Sequence, residues 1–245
     1  RTKIYAVEDN GMKSKRILIP ARMQSKRLPG KPLAMIGEKP LIRHVYDRAT
    51  KTGHPVTILT DSQEIKLVMP DADVMITDEA ATGTDRILSV ADRFSEEILI
   101  NCQGDLPFID PMQILAVTLP LETHDISTLI FDMTESAQRD SNTVKAICSN
   151  MEGNLFRCHW FTRSSLSYGH THAGVYAYNR SALGRIPRER SPSEIAEDLE
   201  QLRFLEHGLT MGAIRTFHIP GEVNTKADLE LARRYHESGQ GMGQH

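Results

Sequence analysis

Cysteine is scarce in this chain. Only Cys102, Cys148 and Cys158 occur among 245 residues, an odd, scattered set with no C-x-x-C pair. That argues against a disulfide framework and a structural zinc site, and it points to a reducing compartment, the cytoplasm. Long apolar runs are also missing, and none approaches the roughly 20 residues that a membrane helix needs. No secretory leader is expected from the amino-terminal residues. Charge of one sign is absent: 29 Lys and Arg against 32 Asp and Glu leave a net charge of −3. A general attraction to nucleic acid or to a membrane surface is therefore excluded. There is no G-x-S-x-G and no Walker sequence, which removes the commonest hydrolase and P-loop readings. The glycine-rich 239–243 stretch lacks a preceding strand and a following helix, so it is not a dinucleotide loop. No internal repeat is visible.

What remains is the composition of an ordinary globular protein, 40% hydrophobic and 25% charged. Its length suits one large α/β domain or a core with a small appendage. Apolar runs at 16–20, 56–60, 74–77 and 98–101 read as strands. Helix-period segments at 41–50, 62–68 and 84–94 lie between them. Such alternation predicts a mostly parallel sheet with helices on both faces. Ligands of these sheets sit beyond the carboxyl ends of the strands. The loops 21–31, 61–62, 78–84 and 102–108 all follow strands, so they can meet at one rim. After Pro111 the runs 126–131, 144–148, 155–161 and 173–178 are strand-like with few helices between them, as in a mixed or antiparallel insertion. Residues 193–207 read as one helix with Ser193 as N-cap and Gly208 after its end. Residues 211–217 read as a strand, and 225–238 as a closing helix with Thr225 as N-cap. Residues 1–11 are read as an extension, either upstream sequence or not native, 12–238 as one domain with an insertion at about 120–190, and 239–245 as a flexible tail.

The loop after the first strand carries the strongest chemical signal. Arg22, Lys26, Arg27 and Lys31, with Ser25 and Gly30, can surround a polyphosphate, and the glycine lets backbone N–H groups approach it. A solvated basic loop is the alternative. The strand at 98–101 ends in Cys102-Gln103-Gly104-Asp105, and a carboxylate there facing a basic loop suits a Mg²⁺ ligand. A turn aspartate is the alternative at Asp105. Thr82-Gly83-Thr84-Asp85-Arg86 opens a helix and suits an anion or a base edge, or is an ordinary N-cap. His170 and His172 share a strand face, but no third metal ligand stands at a telling spacing; a substrate-contacting His172 is favoured. Asp71-Ala72-Asp73 precedes a strand, and is read as a solvated turn and not as the D-x-D of a glycosyltransferase.

These blocks together resemble the bacterial CMP-Kdo synthetases (3-deoxy-manno-octulosonate cytidylyltransferases), relatives of the CMP-sialate synthetases. The similarity is collinear from about residue 16 to about residue 232. It runs through Ile-Pro-Ala-Arg-x-x-Ser-x-Arg-Leu-Pro-Gly-Lys-Pro-Leu at 19–33, Thr60-Asp61, the 82–86 block and Asn101-x-Gln103-Gly104-Asp105-x-Pro107. Val144-Lys145, His172-x-Gly174-Val175-Tyr176-x-Tyr178 and Leu199-Glu200-Gln201-Leu202-Arg203 complete it. The resemblance implies a Rossmann-like, nucleotide-diphospho-sugar-transferase-like fold, with the strand-rich insertion forming the sugar pocket and a homodimer contact. It implies transfer of CMP from CTP to a 3-deoxy-2-ulosonic acid, with release of pyrophosphate, in surface polysaccharide or lipopolysaccharide synthesis. By the same resemblance Arg22, Lys31 and Asp105 are catalytic. Pro20, Ala21, Arg22, Ser25, Arg27, Lys31, Thr84, Arg86 and Gln103 bind nucleotide, with Lys26 as helper. Gln103, Lys145, Arg163, His172, Tyr176, Glu200 and Gln201 bind the sugar acid, and Asp105 binds Mg²⁺.

The chain departs from the family pattern in three places. Leu106 stands where an acid usually follows the metal-binding Asp. Asn224 replaces the Asp of a V-D-T-P block. The segment between Arg163 and His172 is short. Glu222 is expected to supply the charge lost at Asn224, because residues two apart in an extended segment share a face. Two other functional classes remain at this point: a nucleotide-binding relative that has lost catalysis, motivated by Leu106 and Asn224, and a glycosyltransferase of similar sheet topology.

Overall fold

The computed structural model describes residues 13–25 and 27–239. The expected extension at 1–11, Lys26 and the tail from Gln240 onward lie outside the described residues. The chain begins with β1 (Lys15–Ala21), a single 3₁₀ turn (Lys31–Leu33) and a small hairpin of β2 (Met35–Ile36) and β3 (Lys39–Pro40). Next come α1 (Leu41–Thr50), β4 (Val56–Thr60), α2 (Gln63–Val68), β5 (Val74–Ile76), α3 (Gly83–Val90) and β6 (Ile98–Cys102). The second half runs α4 (Pro111–Ala116), β7 (Ile126–Asp132), α5 (Glu135–Arg139), β8 (Lys145–Glu152), β9 (Leu155–Thr162) and β10 (His170–Asn179). It closes with α6 (Arg180–Leu183), α7 (Pro192–Glu197), α8 (Gln201–Glu206), β11 (Met211–Arg215) and α9 (Lys226–Glu237).

Ile17, Leu18 and Ile19 are all fully buried, although neighbouring residues of a strand point to opposite faces. A strand buried on both faces must lie inside a sheet covered on both sides. Accordingly Ile17 and Ile19 pack with Ile42 and Val45 of α1 and Ile114 of α4. Leu18 packs on the other face with Ile87 and Val90 of α3 and with Leu202 and Phe204 of α8. The described strands form a nine-stranded sheet in the order β5-β4-β1-β6-β10-β7-β11-β9-β8. The β5-β4-β1-β6 half is parallel throughout, and β11 runs parallel to β7. β10 is antiparallel to both β6 and β7, and it joins the parallel half to the strand-rich half. The chain leaves β1 toward β4 and β5, then returns to lay β6 on the other side of β1. The strand order reverses between β1 and β6, and that is where such sheets open a crevice.

The structure changes two of the helices expected from the sequence. Residues 193–207 do not form one helix. Ser191, not Ser193, is the N-cap, in a capping box with Glu194, and α7 ends at Asp198 with φ 53°. Ile195, Leu199 and Leu202 keep helical spacing across the break, so apolar periodicity cannot reveal one left-handed residue. The helix expected at 84–94 stops at Val90 and finishes as a 3₁₀ turn. Thr225 is the N-cap of α9, where it forms a reciprocal box with Asp228.

Ile100 of β6 is fully buried in the larger core cluster, whereas Leu67 of α2 is 79% exposed. Ile100→Ala is expected to lower unfolding free energy by about 2–5 kcal/mol. Leu67→Ala should stay within about 0.5 kcal/mol. Urea titration of both variants reads the difference, and equal losses would contradict this placement of the core.

Candidate active site

The carboxyl ends of β1 and β6 supply the first two walls of the site. Ala21 ends β1, and the loop that follows returns on itself at Gly30, whose φ of 69° is in the left-handed region that glycine enters without strain. Leu28 anchors this loop. It is buried with Ile36, Leu41, Phe108, Val223, Leu229 and Ala232, so α9 and the segment before it hold the loop from outside. Lys31 then points inward: its Nζ donates to Asp105 Oδ2 at 2.9 Å and to the Val223 carbonyl at 3.1 Å. Arg22 Nη1 donates to the Ala81 carbonyl at 3.1 Å and ties the loop to the start of α3. Ser25 is turned toward its own loop, accepting from Leu28 N–H at 3.4 Å.

The third wall is the amino end of α3. Thr82 caps it, accepting from Asp85 N–H. Arg86 is almost fully buried and paired with Asp61 at 2.8 Å, and it also donates to Thr77 Oγ1 and the Asp78 carbonyl. These walls enclose a cleft of about 540 Å³ lined by Pro20, Ala21, Arg22, Ser25, Arg27, Lys31, Arg86, Gln103 and Asp105. Thr84 is different. It is fully buried, with its hydroxyl 2.9 Å from Tyr178 OH and its N–H donating to Glu200 Oε2 at 3.2 Å. Thr84 therefore holds the wall from behind and does not line it.

A second lobe of about 810 Å³ adjoins the first and shares Arg22, Arg27, Gln103, Asp105 and Asn224 with it. Arg163, His172, Tyr176, Glu200, Gln201 and Glu222 line this lobe. Gly174 sits at an irregularity in the β10–β7 register. A Cβ there would come within 3.1 Å of the Gln103 amide, so the missing side chain is what leaves Gln103 its place. Thr128 Oγ1 donates to backbone carbonyls of β10 and accepts from His172 Nε2 at 2.9 Å. That pattern assigns the tautomer with the proton on Nε2 and leaves Nδ1 as an acceptor. Burial, reinforced by the Arg163 charge, pushes the His172 pKa down to about 3, so the ring is neutral. Tyr176 OH donates to Gln201 Oε1 at 3.1 Å. Gln201 Nε2 and Glu200 Oε1 are buried with no hydrogen-bond partner among the described residues. Burial raises the Glu200 carboxyl pKa. An unpaired buried polar group costs about 1–3 kcal/mol, and a hydroxyl-rich ligand would offset that cost.

Lys145 does not reach this lobe. It is fully buried, and its Nζ donates to the Asp140 carbonyl at 2.5 Å and the Arg163 carbonyl at 3.3 Å. Arg163 does line the lobe, but its guanidinium is steadied by the Glu197 and Asn142 carbonyls. Arg190 and Asp198 line both lobes and were not foreseen. Arg190 is held by Glu194 at 3.1 Å and by Asp198 at 3.5 Å. The helix break at Asp198 brings them there and starts α8 with Gln201 facing the cleft.

Asp105, Glu222 and Asn224 gather where the lobes meet. Asn224 Nδ2 donates to Glu222 Oε1 at 2.6 Å, so the two do share a wall. Glu222 is open to the cleft yet walled by protein. That walling, followed by the Asp105 charge, raises its carboxyl pKa. Leu106, where the family resemblance led to the expectation of an acid, is almost fully buried in the core cluster with Ile109 and Ile114 and touches the floor of the second lobe. Among the described residues no cluster of three His, Cys, Asp or Glu forms a metal cage. Two carboxylates and an amide oxygen nonetheless fit Mg²⁺, which binds one or two carboxylates and completes its shell with phosphates and water.

A basic cleft beside a lobe with unpaired polar groups, at the switch point of a largely parallel sheet, is the architecture of a nucleotidyltransferase. The family model described as cytidylyltransferase matches residues 16–211, and the chain belongs to that family. It is 44% identical to the 3-deoxy-manno-octulosonate cytidylyltransferase of Brucella ovis, with 89% of this chain and 94% of the relative covered. It is 41% identical to the protein of the same name from Rhodopseudomonas palustris, over 89% of this chain and 96% of the relative. A solved structure of CMP:2-keto-3-deoxy-manno-octonic acid synthetase complexed with CTP superposes with a TM-score of 0.84. It shares 30% identity and covers 92% of this chain and 99% of its own. UDP-glucose pyrophosphorylase, at 14% identity and a TM-score of 0.70, shares the fold.

His172 generates a pH-dependent expectation. Its folded pKa lies below the unfolded value of 6.5, so below pH 6.5 the unfolded chain binds a proton that the folded chain refuses. Stability therefore falls as pH drops from 6.5 toward 3, by about 2 kcal/mol at pH 5 from this group. His172→Gln should lose less stability between pH 7 and pH 5 than the parent in urea titrations. Identical slopes would rule out a neutral buried imidazole. Separately, Gly174→Ala is expected to displace Gln103 and lower kcat/KM about tenfold or more while the unfolding midpoint moves little.

Proposed function

We propose that the chain transfers CMP from CTP to the anomeric hydroxyl of a 3-deoxy-2-ulosonic acid, Kdo or a close relative, and releases pyrophosphate. The observation that carries this reading is the pair of adjoining lobes meeting at Gln103 and Asp105. One lobe is lined by the cations Arg22, Arg27 and Lys31, and the other holds the unpaired Glu200 Oε1 and Gln201 Nε2. In this reading the first lobe takes the nucleotide and the second the sugar acid. The sugar hydroxyl forms a bond to the α-phosphorus as the bond to the bridging oxygen breaks, and the electrons leave with pyrophosphate. Such a step needs neutralised charge and in-line placement more than a covalent nucleophile.

Arg22, Arg27 and Lys31 bind triphosphate oxygens; Pro20, Ala21, Ser25 and Arg86 shape the nucleotide lobe, and Gln103 touches both substrates. Thr84 and Lys145, fully buried, act by positioning Glu200 and Arg163. Arg163 faces the sugar carboxylate, and His172, Tyr176, Glu200 and Gln201 face its hydroxyls. Asp105, Glu222 and Asn224 would hold Mg²⁺, which supplies charge neutralisation and orientation at the phosphates when bound. Residues 12–238 act as one domain with its insertion at about 120–190. The setting that goes with this reading is a cytoplasmic homodimer serving lipopolysaccharide or other surface-polysaccharide synthesis, with the strand-rich insertion forming the dimer contact.

The test is pyrophosphate release from CTP and Mg²⁺ with Kdo, amino-Kdo, sialic acid or no sugar. Release with a single ulosonic acid is expected. Calorimetric CTP binding with no release from any acid would favour the catalytically silent reading. Asp105→Asn should lower kcat by about 100-fold or more. Glu222→Gln should raise the Mg²⁺ concentration for half-maximal rate, and a shift confined to Asn224→Ala would remove Glu222 from the metal site.

A further inference from the structure

Two of the three cysteines meet outside the lining of both lobes. In the β8–β9 hairpin Lys145 opposes Thr162, Ala146 opposes Phe161 and Ile147 opposes Trp160. The next pair is not Cys148 with His159. The register slips by one residue, so that Cys148 opposes Cys158 and His159 is the extra residue of a bulge. Bulges of this kind re-aim side chains. Here the result is a direct cross-strand pair whose Sγ atoms lie 3.4 Å apart. Both thiols are free; Cys158 is buried and Cys148 is partly accessible. The His170 ring belongs to the same face. His170 opposes Ala146 on the other side of β8, and Cys148, two residues on, is its diagonal neighbour.

We propose that Cys148 and Cys158 are a reversible oxidation site, in which a low-molecular-weight disulfide converts the pair into an intramolecular disulfide that clamps the β8–β9 hairpin. The Cys148 thiolate attacks one sulfur of the small disulfide, forming a mixed disulfide and releasing one small thiolate. The Cys158 thiolate then attacks the Cys148 sulfur, forming the Cys148–Cys158 bond and releasing the second. The two cysteines lose two electrons and two protons, and the small disulfide is reduced to two thiols.

The acidity of the groups matches this order of events. Contact with Cys158 lowers the Cys148 pKa, against the opposing effect of burial and with help from His170. The same contact, followed by burial, raises Cys158. Cys148 is thus the accessible, more ionised thiol and Cys158 the resolving one. Cys102 is an internal control: it is fully buried, and burial, with the Asp105 charge, pushes its pKa up to about 12.

The experiment incubates the folded, full-length chain with oxidised glutathione, then denatures it and titrates thiols. Three thiols are expected before oxidation and one after it, with full recovery on adding dithiothreitol. Peptide mapping should find Cys148 joined to Cys158 within one chain, and residues 145–162 should exchange amide hydrogens at least about tenfold more slowly than in the reduced protein. Cys158→Ser should stop at a glutathione adduct on Cys148, with no internal bond. Three thiols after oxidation, a stable adduct on Cys148 in the parent protein, or a bond joining two chains would each overturn the proposal. None of these readouts depends on the nucleotidyltransferase reaction.

Discussion

The Lys31 ammonium holds together three pieces of chain that are far apart in sequence. It leaves the loop after β1, pairs with Asp105 after β6 and donates to the Val223 carbonyl before α9. A cation so placed costs less than one left in an apolar interior, because a carboxylate and a carbonyl oxygen satisfy two of its three donors. The pair is largely screened from bulk water, with 18% and 12% side-chain exposure, so its attraction is stronger than that of a surface pair. Both lobes of the cleft meet at this point. Moving the Lys31 or Asp105 chain segment would alter both lobes together.

Deeper in the molecule, arginines perform a related task. Arg203 of α8 is fully buried; it pairs with Asp85 of α3 at 2.8 Å and with Glu194 of α7 at 3.1 Å. It also donates to the Pro187 and Arg188 carbonyls. A buried pair of this kind is weak evidence for net stability, but removing one partner leaves an uncompensated charge. Its structural effect here is to fix α3, α7 and α8 relative to one another, and these helices carry the wall of Thr82, Gly83, Asp198 and Gln201.

The parallel half was legible in the sequence because its signals are local and repeated. Residues 41–50 and 56–60 have the same bounds in the structure as in the sequence reading, since the helix keeps its apolar stripe and the strand is buried along its whole length. The loop cations and the carboxylate after β6 were legible too, because both lie immediately after strands whose ends share a rim. Depth was not legible. Thr84 and Lys145 stand in blocks that carry the family resemblance, but a motif does not say whether a side chain faces a cleft or braces it from behind. Neither was the pairing of Cys148 with Cys158, because an unbroken antiparallel register places Cys148 opposite His159 and only the bulge shifts it. Arg190 became part of the cleft through the left-handed turn at Asp198, which has no sequence signal beyond a residue type that tolerates it.

Leu28 has a consequence in time as well as in space. It is packed against Val223 and Leu229, about two hundred residues later in the chain. Contacts so distant in sequence form late, after the entropy of closing the intervening chain has been met. A chain emerging from the ribosome through β11 has every strand of its sheet but no packing partner in α9 for the basic loop. The domain acquires its architecture first and its ordered basic loop last, when the final helix docks.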